Sequence, residues 1–265
     1  MSPPDPDGVV VMVMAALPEE VGVLRWRLAD ARRLPKGPGS LRRWEGRIGD
    51  HRVRVVVTGD GAAQARSGAR VALDQLPGET TRCRHLIVAG VAGAADPALR
   101  AHDLVVAREV VLEGGVTRRA DEAMVAKVMR ETGAVPGRVL TRERLAASVA
   151  HKQQIHEEWS RGDSLPTVVD LETAWYLEEV ERRGVPWTVV RVVSDAADEP
   201  LPAFLEGCRD EGGAIRRGRV AWHALRHPGT IPPLLRLARR VRQCAVVLAE
   251  AVALIVGLDA KEDVG

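Results

Sequence analysis

Short, largely apolar runs rich in β-branched residues, set apart by stretches of helical character, constrain this chain more than any other feature. Val9–Met14, His85–Ala89, Leu104–Val111, Thr167–Asp170 and Pro186–Val193 are the clearest. A run with no polar alternation belongs to a strand covered on both faces. Leu41–Ile48 and His51–Thr58 read as a hairpin about Gly49-Asp50. Between these runs, Glu19 and Glu20 open a helix expected to reach about Asp30, with early carboxylates that suit its dipole. Leu34–Ser40, with Pro35, Gly37, Pro38 and Gly39, reads as a loop. An Ala-rich helix follows the turn Gly59-Asp60-Gly61 and runs to about Leu76. Asp121–Thr132, part of Arg142–Trp159, and Glu172–Arg183 complete the helical stretches. Strands that alternate with helices predict a layered α/β fold with a largely parallel sheet.

With 265 residues, 46% of them hydrophobic, the chain can bury one sizeable core. We expect one α/β domain over 9–200 and a helical C-terminal extension over 201–258, packed on or beside it. The 38 basic and 36 acidic residues nearly cancel, which gives no case for nucleic-acid binding. Three widely spaced cysteines, Cys83, Cys208 and Cys244, fit neither a disulfide framework nor a cysteine zinc site. They suit buried thiols in a reducing compartment. The histidines show no metal-ligand spacing, so no metal is expected. The run Val9–Leu17 follows Asp5 and Asp7, not a positive segment. No stretch reaches the roughly 18 uncharged apolar residues of a membrane span, since Glu250 interrupts Ala245–Leu258. The expected location is the cytoplasm, with membrane association as an option for the last helix.

In such sheets, ligands sit beyond the carboxyl ends of the strands. Glu20, Gly90–Gly93, Glu172 and Asp195 all fall just after predicted strands. They therefore converge on one rim.

Three segments carry a resemblance. Ala16-Leu17-Pro18-Glu19-Glu20-Val21 is similar to the turn that bears the catalytic glutamate in 5′-methylthioadenosine/S-adenosylhomocysteine nucleosidases. Val169-Asp170-Leu171-Glu172-Thr173-Ala174 resembles that family's V-x-M-E-x-x-A ribose motif. Arg191-Val192-Val193-Ser194-Asp195-Ala196-Ala197-Asp198 resembles its R-x-x-S-D-x-A-D catalytic motif. The order and spacing of the set point to the purine nucleoside phosphorylase/nucleosidase superfamily. Gly90–Leu99 with Asp103-Leu104-Val105-Val106, and Lys152 upstream of Glu172, resemble the hopanoid-associated phosphorylase branch. The superfamily implies a three-layer α/β/α fold about a twisted mixed sheet, often a homodimer, and no cofactor. The branch implies an adenosylated triterpenoid, an adenosylhopane-like lipid, as substrate.

On that resemblance Asp195 is the general acid that protonates the leaving purine, and burial has to raise its pKa. Glu172 receives the ribose hydroxyls and Glu20 positions water, with Glu19 as its rival. Leu171, Ser194, Val91, Ala92 and Gly93 are expected to line the substrate. Arg191 could brace the Asp195 loop or be structural. Leu171 replaces the usual methionine, Val91 replaces a loop serine, and the G-D-x-F purine motif is missing. With one Phe and one Tyr in the chain, the base has few rings to stack on. The bland readings remain open: Asp195 as a turn cap, Glu172 and Glu20 as carboxylates at helix N-termini.

Phosphate as nucleophile needs several donors. The loop Val88-Ala89-Gly90-Val91 is apolar where phosphorylases place Arg and Ser, so hydrolysis is favoured. A phosphate-dependent phosphorylase is the first alternative, with phosphate as co-substrate. A non-catalytic nucleoside-binding protein is the second. From Leu234 onward, Leu237, Val241, Leu248, Val252 and Ile255 share one helical face. That face suits core or dimer interface. Arg236, Arg239, Arg240 and Arg242 leave room for a peripheral lipid contact.

Overall fold

The computed structural model describes residues 9–35, 41–76, 82–161, 164–210 and 215–258. Part of the expected loop Leu34–Ser40 lies outside them. In chain order the elements begin with β1 (Val9–Ala15), α1 (Gly22–Arg27), β2 (Ala29–Arg33), β3 (Arg42–Ile48), β4 (His51–Val57) and α2 (Ala62–Asp74). Then come β5 (Arg82–Ala94), β6 (Leu104–Leu112), β7 (Thr117–Arg119), α3 (Glu122–Thr132), β8 (Val135–Thr141) and α4 (Val149–Trp159). The chain closes with β9 (Thr167–Asp170), α5 (Thr173–Glu181), β10 (Trp187–Asp195), α6 (Phe204–Gly207), α7 (Arg217–Arg226) and α8 (Ile231–Leu258).

Side chains alternate across a strand, and here both faces are covered. Val11, Val13 and Ala15 of β1 join a core with Leu24 of α1, Val125 of α3, and Leu248 and Val252 of α8. Met12 and Met14 join the opposite core with Ala65 and Ala69 of α2 and with Tyr176 and Leu177 of α5. This explains the largely apolar runs and makes three layers, α/β/α. The last helix thus supplies much of one layer.

The ten-stranded sheet is mixed and not largely parallel. β1 pairs in parallel with β4 and β5, and β5 in parallel with β10. β6 runs antiparallel to β10, and β9 antiparallel to β5. β5 forks. It pairs with β1 over Arg82–Val88, with β10 over Leu86–Gly93, and with β9 at Gly93 and Ala94. Through β10, β6, β8 and β9 the sheet returns to β5 and closes a ring. β1 stops pairing where β5 continues, and the gap between them is where the site forms.

Several sequence expectations change here. The helix from Glu19 was expected to reach Asp30, but α1 ends at Arg27 and Ala29–Arg33 pairs with β3. Asp30 has φ 52°, which no helix continues through. Arg32 also joins Arg52 and Arg54 around Glu45, so tertiary charge pairing overrides local propensity. Gly90–Gly93 is not a loop after a short strand; it lies inside β5. β8 was not expected, because Pro136 and Gly137 read as breakers. The stretch Pro228–Leu258 is long and apolar enough to cross a membrane by length and composition, with mean hydropathy 1.9 in its most apolar window. That corrects the expectation that no stretch is. Half of that window is buried inside the protein, where Leu248, Val252 and Ile255 fill the core.

Candidate active site

The turn after β1 folds Glu20 back on itself. Its Oε2 accepts from the Leu17 N–H at 2.7 Å, and its Oε1 accepts from the Val91 N–H of β5 at 2.9 Å. Glu20 therefore spans the gap left where β1 and β5 part. Burial pushes its carboxyl pKa up, although Arg191 and the backbone donors pull the other way. The neighbour Glu19 faces outward and pairs with Arg217 at 2.8 Å. Geometry thus separates the two rivals and places Glu20 in the cavity.

Glu172 ends the β9 turn and accepts from the Gly61 N–H at 2.9 Å. Burial, then repulsion from Asp170, pushes its carboxyl up to about 8. The carboxyl expected to receive the ribose hydroxyls is thus biased toward its protonated form. Behind it, Asp170 accepts from Thr141 Oγ1 at 2.7 Å and from Arg191 Nη2 at 2.7 Å. Arg191 is fully buried. Burial alone would lower its guanidinium, but Asp170, Glu20 and Glu172 hold it up. Arg191 braces the Glu172 turn through Asp170 and the Thr173 hydroxyl, and not through the loop after Asp195.

Asp195 ends β10, where the register with β5 slips at Ser194 and sets the carboxylate against Gly93. Ser194 Oγ lies 2.6 Å from Asp195 Oδ1 and 3.2 Å from the Ala92 carbonyl oxygen. Asp195 is buried, and it has a charged partner. Lys152 of α4, only 1% exposed, donates to Asp195 Oδ2 at 2.5 Å. Its other donors reach the carbonyls of Ala196 at 2.7 Å and Glu199 at 2.8 Å. Lys152 entered the sequence reading only as part of a resemblance. No local signal ties a lysine on one helix to an aspartate 43 residues on.

Two glycines make this packing possible. A Cβ at Gly90 would lie 2.0 Å from Arg191 Nη1 and 2.7 Å from Glu20 Oε1. A Cβ at Gly93 would lie 2.8 Å from Asp195 Oδ2. Both are closer than any side chain tolerates.

These groups surround a cavity of about 190 Å³. Glu20, Glu172, Leu171, Ser194, Asp195, Val91, Ala92 and Gly93 all line it, so every site residue expected from sequence is brought together. Asp60, Leu205, Ile215 and Leu237 complete the wall and were not expected there. Among the described lining residues there are five carboxylates, no Lys, Arg or His, and no aromatic ring. Phe204 stands instead in an adjoining groove of about 590 Å³, between the loop after β10 and the start of α8. The groove meets the cavity at Asp195, Leu201 and Leu237. Among the described residues no cluster of His, Cys, Asp and Glu is disposed to hold a metal.

The family model described as the phosphorylase superfamily matches residues 10–214. The chain belongs to the phosphorylase superfamily. It is similar to the 5′-methylthioadenosine/S-adenosylhomocysteine nucleosidases of Mycobacterium bovis and Mycobacterium tuberculosis, each 33% identical over 103 residues. That match covers 39% of this chain and 38% of each relative. Among solved structures, the nucleosidase of Neisseria meningitidis bound to methylthio-immucillin-A superposes with TM-score 0.70 at 18% identity. It covers 94% of this chain and 98% of the other. Futalosine hydrolase of Helicobacter pylori superposes with TM-score 0.69 at 17% identity, over 95% and 98% of the two chains. These likenesses establish the three-layer fold with its mixed sheet.

Proposed function

We propose that the protein is an enzyme that hydrolyses the N-glycosidic bond of a purine nucleoside. The observation that carries water over phosphate is the cavity wall, with five carboxylates and no cation among its described residues. A phosphate dianion there would find acidic groups on several sides and no donor fork among these residues to hold it. Water needs only an acceptor, and Glu20 is one.

In this reading the C1′–N9 bond breaks and its electron pair leaves with the purine. Asp195 delivers a proton to the base, and Lys152 at its back can resupply it. The water oxygen bonds C1′ while its proton passes to Glu20. The raised pKa of Glu20 makes it a stronger base near neutrality. The ribose hydroxyls donate to Glu172, whose ionised form also favours positive charge building on the sugar. The phosphorolytic alternative fits this wall less well. A non-catalytic binder leaves the buried Lys152–Asp195 pair without a purpose.

The finer reading concerns the substituent on the nucleoside. The cavity opens into a mainly apolar groove lined by Leu201, Pro202, Phe204 and Leu237. That suits an extended apolar group such as an adenosylhopane-like lipid. The test is base release from adenosine, methylthioadenosine and a 5′-alkyl adenosine across a phosphate titration, with sugar products identified. The unphosphorylated sugar (ribose, 5-methylthioribose or the 5-alkyl ribose) at every phosphate level supports hydrolysis, and preference for the 5′-alkyl substrate supports the groove's role. Ribose 1-phosphate formed only with phosphate would replace this reading with phosphorolysis.

A further inference from the structure

Charge in this chain is segregated. From Ile215 to Ala249 there are eight arginines and no aspartate or glutamate. The segment carries +8 within a chain of net +2, so the rest carries a net −6. The same segment holds an arm that is not part of the core. α7 has no buried residue, and α8 has none before Cys244. A short 3-10 turn, Pro228–Thr230, joins the two helices.

Large apolar side chains point outward along this arm. Trp222 is 56% exposed, Leu225 72%, Ile231 41% and Leu235 64%. Arginines stand among them. Arg226 stacks over the Trp222 ring, with its guanidinium carbon 4.4 Å from the centroid. Ile231, Leu235 and Arg242 fall on one side of α8 at helical spacing, with Arg239 beside them. Arg219, Arg226, Arg236, Arg239 and Arg242 form no ion pair with a described acidic residue. Exposed Trp and Leu interleaved with unpaired arginine, on short amphipathic helices, match what an interfacial membrane helix requires.

We propose that the α7–α8 arm docks on an anionic lipid surface. The apolar tips enter the headgroup boundary and the arginines pair with lipid phosphates. A second copy of the chain is a poor occupant, because a two-fold interface would set this basic face against itself. Nucleic acid would leave Leu225, Ile231 and Leu235 unused. The arm also supplies Gly229, Thr230 and Pro233 to the groove that reaches Asp195, so docking would turn the mouth of that groove toward the bilayer. The inference stands on charge and exposure and does not depend on the proposed activity.

The test is sedimentation of the full chain with phosphatidylglycerol/phosphatidylcholine vesicles and with phosphatidylcholine alone. It is repeated with Arg226→Gln/Arg239→Gln/Arg242→Gln and with Trp222→Ser/Leu225→Ser/Leu235→Ser. The wild type is expected to bind the anionic vesicles in a salt-sensitive way. The arginine triple should bind about a hundredfold more weakly, at about fivefold per charge. The apolar triple should also release the vesicles, and both variants should melt as the wild type does. No binding to anionic vesicles, or equal binding by both variants, would overturn the proposal. So would retention of duplex DNA without vesicles, or self-association lost in the apolar triple with no vesicle binding.

Discussion

Lys152 is buried behind Asp195, whose carboxylate borders the cavity, so neither can be removed without leaving the other uncompensated. Asp195→Asn keeps the shape and removes the proton. It is expected to lower base release by about 10²–10⁴-fold, the range for a general acid. Lys152→Met should lose a comparable factor in base release. Lys152→Arg should restore part of the rate; no rescue by arginine, with Lys152→Met melting lower by the same margin as it loses activity, would reduce Lys152 to a packing role. Glu172 makes a separate prediction. Its carboxyl is held up to about 8 by burial and by Asp170, and the ribose hydroxyls need its charged form as acceptor. Affinity for a non-cleavable nucleoside analogue should therefore rise as pH climbs toward 8. Glu172→Gln should flatten that rise and weaken binding about 10–100-fold. A wild-type affinity that is level from pH 6 to 9 would contradict this.

At the scale of elements, the β2–β3–β4 meander is pinned by Glu45. It accepts from Arg32 at 2.8 Å, Arg52 at 2.9 Å and Arg54 at 2.6 Å. Burial would raise its carboxyl, but the three arginines hold it down to about 2. Glu45→Ala strands the buried Arg54 and is expected to cost about 3–5 kcal/mol in denaturant unfolding. A loss below about 1 kcal/mol would show that the cluster is solvated. The last helix is tested in the same way: Leu248→Ala should cost about 2–5 kcal/mol if α8 is core. These two elements also show what sequence could reveal. The apolar stripe of α8, the unbroken run of β1 and the valine-rich stretches of β6 and β10 carry their burial in their composition. β2 does not, because Ala29–Arg33 becomes a strand through contacts with β3 and β4. β8 opens with Pro136 and Gly137, which local rules read as a break. In the site, Glu20, Glu172 and Asp195 were legible because each follows a strand. Lys152, Asp60 and Ile215 were not, because only the closed ring of strands brings their segments together.

Across the whole molecule, the two cores fix a rigid α/β/α body, and the cavity sits where β1 and β5 separate. That cavity is costly to maintain. The folded state keeps a proton on Glu172 that the unfolded chain releases near pH 4.5. The contribution is therefore fully present below pH 4.5 and is lost as pH rises through about 8. Glu172→Gln should accordingly melt higher than the wild type at pH 8, by an amount of order 1–2 kcal/mol, and the gap should close toward pH 4.5. The central claim is that this body hydrolyses a purine nucleoside through the Asp195 side of the cavity. The most direct measurement is purine release in phosphate-free buffer by the wild type and by Asp195→Asn, at matched melting temperature. The account predicts release by the wild type, with free ribose as co-product, and near-complete loss in the variant. Equal release by both proteins, or release by the wild type only when phosphate is added, would contradict it.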